Sequence, residues 1–189
     1  MSVADGTNDA SLLSAGTWSV DPRRSSVAFA VKHMLFAKMK GRFHEFDGTL
    51  QTGTGAPRAA GVVKAASIDT DESVRDEHLR RSADFFDVER YPEISFNSTR
   101  IDYLDGGRLR IVGELTMRGV TRETELDAQL KRPRPEADGG ERITLELRGE
   151  LDRRDFGLTW NQKLDAGGAL LGNKVKIALK ISAVKAKGR

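Results

Sequence analysis

The sequence predicts an all-β protein, an antiparallel β-barrel with one short helix between strands near the barrel opening. Three observations carry this. Apolar and polar residues alternate with period 2 over most of the chain, the pattern of strands with one buried and one solvated face. Turns rich in Gly and Pro separate the alternating runs. One stretch alone, Thr70–Val88, departs from the alternation and reads as helical.

Taken in order, strands are expected at 17–20 and 26–33, where Val27, Phe29, Val31 and His33 share a face. Weaker alternation places strands at 40–51 and 59–68. In the helical stretch, Thr70 or Asp71 can cap the N-terminus, and Asp71 and Glu72 suit its positive end. Asp71–Arg75 and Glu77–Arg81 have the spacing of i,i+4 ion pairs. Phe85-Phe86 then reads as an apolar plug, and Tyr91-Pro92 forces an extended entry into the next strand.

The second half is more regular. Ile94, Phe96 and Ser98 share a face in 93–101, and Leu109, Ile111, Leu115 and Met117 share one in 108–117. Leu126, Ala128 and Leu130 follow in 122–130, then Ile143, Leu145, Leu147 and Leu151 in 142–151. Val175, Ile177, Leu179 and Ile181 complete the set in 174–181. Asp105-Gly106-Gly107 and Arg118-Gly119 supply tight connections. Residues 52–57 and 165–172 read as loops, and Lys131–Gly140, with Pro133 and Pro135, reads as a longer flexible one. Strands that all carry a single apolar face can close on themselves, which removes the sheet edges, and a barrel of about eight strands encloses one small ligand.

At 189 residues the chain suits one domain, with 1–16 as a flexible lead and 17–186 as the barrel. No run approaches the ~20 apolar residues of a spanning helix. The N-terminal residues have no basic start and no apolar h-region, so a secretory signal is not expected and a cytoplasmic location is. Cysteine is absent, which excludes disulfides, thiolate nucleophiles and Cys-based metal sites. The net charge of +3 comes from interspersed residues, 31 basic and 28 acidic, so bulk nucleic-acid binding is not implied.

Few residues suggest chemistry. The spacing of His33, His44 and His78 fits no metal-ligand motif, so no metal is expected. Asp76 and His78 beside Ser73 or Ser82 invite a hydrolase reading, but residues two apart on a helix diverge, and no G-x-S-x-G elbow occurs. Lys131-Arg132 and Arg153-Arg154 read as solvated faces. Residues 29–46 mix Lys32, Lys38, Lys40 and Arg42 with Phe29, Phe36, Phe43 and Phe46. That stretch reads as strand, loop and strand, as a basic rim drawn to an anionic membrane, or as a basic-aromatic nucleic-acid module.

A series of ordered motifs resembles the YceI-like family, whose members bind polyisoprenoid-type lipids. They are Trp18-Ser19-Val20-Asp21, Val31-Lys32-His33, Gly41-Arg42-Phe43, Phe46-Asp47-Gly48, Ile68-Asp69-Thr70 and Arg75-Asp76-Glu77-His78-Leu79. Asp84-Phe85-Phe86-Asp87-Val88, Tyr91-Pro92-Glu93-Ile94-Ser95-Phe96, Gly113–Thr121 and Arg154-Asp155-Phe156-Gly157 continue the order. The resemblance runs from Thr17 to Val184 and implies a lipocalin-like barrel with a helix near one opening. It also implies a long apolar pocket for an isoprenoid, quinone or similar amphiphile, with no catalysis and no cofactor.

Strand phase assigns the apolar wall of such a pocket to Phe29, Val31, Ile94, Phe96, Ile111, Leu115, Leu145 and Leu147. His33, Arg75 and Trp160 are the candidates for its polar end. The expected partners are a long-chain lipid, an anionic membrane in transient contact and a second copy in a homodimer, with no nucleic acid. A lipid-modifying enzyme and the nucleic-acid or surface module stand as alternatives.

Overall fold

The computed structural model describes residues 13–185. The strands are β1 (Gly16–Val20), β2 (Ser26–His33), β3 (Ala37–Phe43), β4 (Phe46–Thr52), β5 (Arg58–Lys64) and β6 (Ile68–Asp69). After helix α1 (Ser73–Arg81) come β7 (Glu93–Tyr103), β8 (Arg108–Met117), β9 (Val120–Pro135), β10 (Glu141–Asp152) and β11 (Leu171–Lys185). All pairings are antiparallel, and the order β1-β4-β5-β7-β8-β9-β10-β11 closes when β11 pairs back onto β1. The fold is therefore all-β, a closed eight-stranded barrel with one α-helix.

Three staves of the barrel are broken, each into two of these strands. β1 gives way to β2 across a 3-10 turn at Pro22–Arg24, because Pro22 cannot donate to the ladder. β3 passes to β4 at His44-Glu45, and β5 to β6 through a second 3-10 turn, Ala65–Ser67. β11 spans both levels, pairing with β2 along Leu171–Lys180 and with β1 at Ala183–Lys185.

Two apolar clusters fill the ends. Trp18, Leu109, Ala128, Leu130, Ile143 and Ala183 pack one end, with Trp18 and Ile143 fully buried. Phe43, Ile68, Leu79, Phe85, Phe156, Leu158 and Leu171 pack the other, where α1 and the β10–β11 connection meet. Leu13 is buried in the first cluster, so the packed structure begins before Gly16, and residues 1–12 of the expected lead lie outside the described residues.

The helix differs from expectation at its start. Glu72 is the N-cap, its carboxylate accepting from the backbone N–H groups of Val74 and Arg75. Asp71 adopts a φ of +61° outside the helix and pairs with Arg42 at 2.8 Å rather than with Arg75. Glu77–Arg81 forms as expected. The proline-bearing segment after Leu130 is strand rather than loop, because a bulge accommodates it. The β9–β10 register steps from Lys131↔Thr144 to Arg134↔Arg142, so Arg132 and Pro133 together face one residue of β10. Pro133 therefore sits where no ladder bond is due.

Candidate functional site: an apolar cavity under a helical roof

The barrel holds a cavity of about 310 Å³. Its walls follow from strand alternation: Val27, Phe29 and Val31 from β2, Ile94 and Phe96 from β7, and Ile111, Leu115 and Met117 from β8. Leu145, Leu147 and Leu151 from β10 and Val175, Ile177, Leu179 and Ile181 from β11 continue the wall. All eight wall residues expected from the sequence line it. Phe29, Phe96, Ile177 and Leu179 point inward yet stay only half-buried, as each also borders the hollow.

The roof comes from segments without strand periodicity. Leu79 of α1, Phe85, Phe86 and Leu158 close over the strands, with Leu171 at the start of β11. The helix is held by buried Asp76, which accepts from the backbone N–H and hydroxyl of Thr70. Arg75 is turned to the same loop, donating through Nε to Thr70 Oγ1 at 2.8 Å and through Nη2 to the Thr70 carbonyl at 2.7 Å. It does not line the cavity. Trp160 sits one layer out, its ring 5.5 Å from Phe85 and 5.9 Å from His78. His33 ends β2 half-buried between Leu171 and Ala37, also outside the lining. The three candidates for a polar end are thus not brought together.

Two charged residues lie among the lining. Asp47 is exposed and accepts from the Gly48 N–H at 2.7 Å. Arg153 is buried, in contrast to the solvated face expected of Arg153-Arg154. Its guanidinium donates to the carbonyls of Gly172, Leu158, Trp160 and Leu171 and to Asn173 Oδ1. Burial pulls its pKa down, partly opposed by the Asp152 charge. Every donor is therefore engaged by a neutral acceptor, and the side chain ties the β10–β11 connection to the barrel. Among the described residues no group of His, Asp and Glu could hold a metal ion.

A closed antiparallel barrel with an apolar interior and a helical roof is the architecture of cavity-bearing barrels that take up one small molecule. The chain belongs to the YceI-like family, whose domain matches residues 18–183. The UPF0312 protein SA2479 of Staphylococcus aureus (strain N315) is 29% identical over 163 residues, covering 84% of this chain and 92% of that protein. Among solved structures, BcnA of Burkholderia cenocepacia superposes with a TM-score of 0.73 at 20% identity, over 86% of this chain and 98% of that one. The Campylobacter jejuni YceI protein gives 0.69 at 25% identity, over 82% and 90% of the two chains. A polyisoprenoid-binding domain from Saccharophagus degradans, implicated in plant cell wall breakdown, gives 0.65 at 17% identity, over 92% and 100%.

Proposed function

We propose that this chain is a non-catalytic carrier that holds one long-chain isoprenoid-type lipid, a polyprenyl, quinone or similar amphiphile, in its barrel. The observation behind the reading is the cavity itself, about 310 Å³ and walled almost wholly by aliphatic and aromatic side chains. Such a wall favours an apolar chain and offers little to a sugar or nucleotide. Family membership and the likeness to a polyisoprenoid-binding domain support the same reading.

Magnitudes shape what binding should look like. A chain of some forty carbons would nominally gain ~30 kcal/mol at ~0.8 kcal/mol per carbon buried. Non-covalent affinity saturates near 18–21 kcal/mol, so ordering the chain and withdrawing it from a bilayer consume about the difference or more. Apparent affinity then depends on how the lipid is presented, and the ligand should survive purification. Native mass spectrometry of freshly purified protein, followed by organic extraction, is expected to show one lipid per chain. Protein that is lipid-free, and that accepts no prenyl lipid from micelles, would remove the proposal.

A further inference from the structure

We propose that the β2–β3 hairpin apex, Met34-Leu35-Phe36, is a docking element that inserts into an anionic lipid bilayer. This names the surface from which the cavity is filled, and it rests on the carrier reading for that purpose. Four large apolar side chains are exposed among the described residues, and three are these consecutive ones: Met34 at 54%, Leu35 at 51% and Phe36 at 94%. Scattered exposed apolar residues need no explanation, but a contiguous group at the tip of a hairpin does.

The apex is also locally unfavourable in two further ways. Met34 and Leu35 have φ of +50° and +63°, a left-handed conformation that hairpin loops normally fill with Asn or Gly. Lys32 stands directly opposite Lys38 on the neck, and like charges across a strand pair repel. Lys40 and Lys176 flank Ala30 on the same outer face. Nearby carboxylates are engaged elsewhere, Glu150 by Lys174 at 3.3 Å and Asp69 and Asp71 by Arg42. No described carboxylate lies within ion-pair distance of Lys32, Lys38 or Lys40. Bulky residues in a glycine conformation, exposed and set on unpaired lysines, break several local rules at one place, which marks a functional feature.

The chemistry selects a bilayer. Three apolar side chains on a narrow tip can enter the headgroup region while the lysines meet anionic phosphates. A protein partner would need a broader patch, about 800 Å² on each side. A symmetric contact between two copies would bring the same unpaired lysines together. One aromatic ring without a basic groove is a poor platform for nucleic acid. The apex is also continuous with the site, since Val31 and Met39, three residues to either side, line the cavity.

Flotation with phosphatidylcholine vesicles, with and without phosphatidylglycerol, tests the proposal on the full chain. Wild type is expected to float with the anionic vesicles and to be released by salt. Lys38→Gln with Lys40→Gln should weaken this roughly 30-fold, and Phe36→Ser roughly tenfold or more. Met34→Asn with Leu35→Gly guards against misfolding. It should keep or raise Tm, because the turn is relieved, yet lose vesicle binding. Equal binding to both vesicle types at low salt, or wild-type binding by the apex variants, overturns the proposal. So does a dimer that Phe36→Ser dissociates while vesicle binding is unchanged, or apex-dependent nucleic-acid retention without vesicle binding. Native mass spectrometry of the same samples separates the two readings. Apex-dependent flotation of a protein that never carries lipid upholds docking and removes the carrier function. Lipid carried by a protein indifferent to vesicles upholds the carrier and overturns docking.

Discussion

Two glycines show how single residues shape the cavity. A Cβ at Gly41 would lie 2.3 Å from the Cζ of Phe29, directly across the β2–β3 pair. The obstacle is the far end of a ring that borders empty space, so the ring can swing into the cavity. A Cβ at Gly113 would instead lie 2.5 Å from the Asn97 carbonyl oxygen and 2.8 Å from the Ser98 Cα, where β7 carries a bulge. Backbone cannot yield in that way. Gly113→Ala is therefore expected to cost about 1–3 kcal/mol, seen as a fall in Tm of about 2–4 °C per kcal/mol. Gly41→Ala should leave Tm within about 2 °C of wild type, but reduce the fraction of protein carrying lipid by native mass spectrometry. At this scale the inward wall was legible, because period 2 fixes which side chains face in. The burial of Arg153 was not, since it depends on carbonyls of the folded 157–173 segment, and a basic dipeptide carries no trace of them.

Elements without alternation carry the roof, and there the sequence was less informative. The strands β2, β8 and β10 are legible to within a residue, whereas the breaks at His44-Glu45 and Ala65–Ser67 have no proline or glycine to announce them. The first shows only as Phe43 and Phe46 both lining the cavity three residues apart, out of strand phase. The β10–β11 connection owes its shape to Arg153, and Arg153→Met is expected to loosen it. Hydrogen exchange should speed up across 157–172 while β7 and β8 keep their protection; uniform protection would contradict that role. The short 3-10 turn before it, Arg153–Phe156, is capped by Asp152. A side-chain hydrogen bond from Arg154 holds the Asp152 carboxyl at about 2. A carboxyl depressed on folding stabilises above its ordinary value and loses that contribution as pH falls through the depressed one. Tm should therefore decline between about pH 4 and pH 2, and Asp152→Asn should flatten part of that decline. An unchanged slope in the variant would place the acid sensitivity elsewhere, with Asp69, also at about 2 beside His44, the next group to replace.

For the whole molecule, closure decides where the sheet has edges. Pairing β11 onto β1 leaves the eight staves without a free edge at the level of the tryptophan-plugged end. At the other level β2, β3 and β6 extend from β11, β6 pairs only with β3, and α1 packs beside it. The ladder is thus continuous at one end and broken into shorter strands at the other, and the carrier proposal puts lipid entry at the helical end. The non-catalytic part of the carrier proposal rests on the make-up of the lining. Acid–base catalysis needs a pair of groups within hydrogen-bond reach of a reacting atom, and the charged lining is limited to an exposed Asp47 and a saturated Arg153. Asp76 and His78, the one Asp–His pair near a serine on α1, are spent separately. The first accepts from Thr70, and the second faces the rings of Phe85 and Trp160. Asp76→Asn should cost about 1–3 kcal/mol by weakening a buried acceptor, and His78→Gln should disturb ring packing. Neither should change the products formed from prenyl pyrophosphates, quinones or acyl lipids, because none are expected from wild type. The decisive measurement is mass spectrometry of those mixtures after long incubation. Multiple-turnover conversion that vanishes in either variant while Tm is kept would turn the carrier into an enzyme.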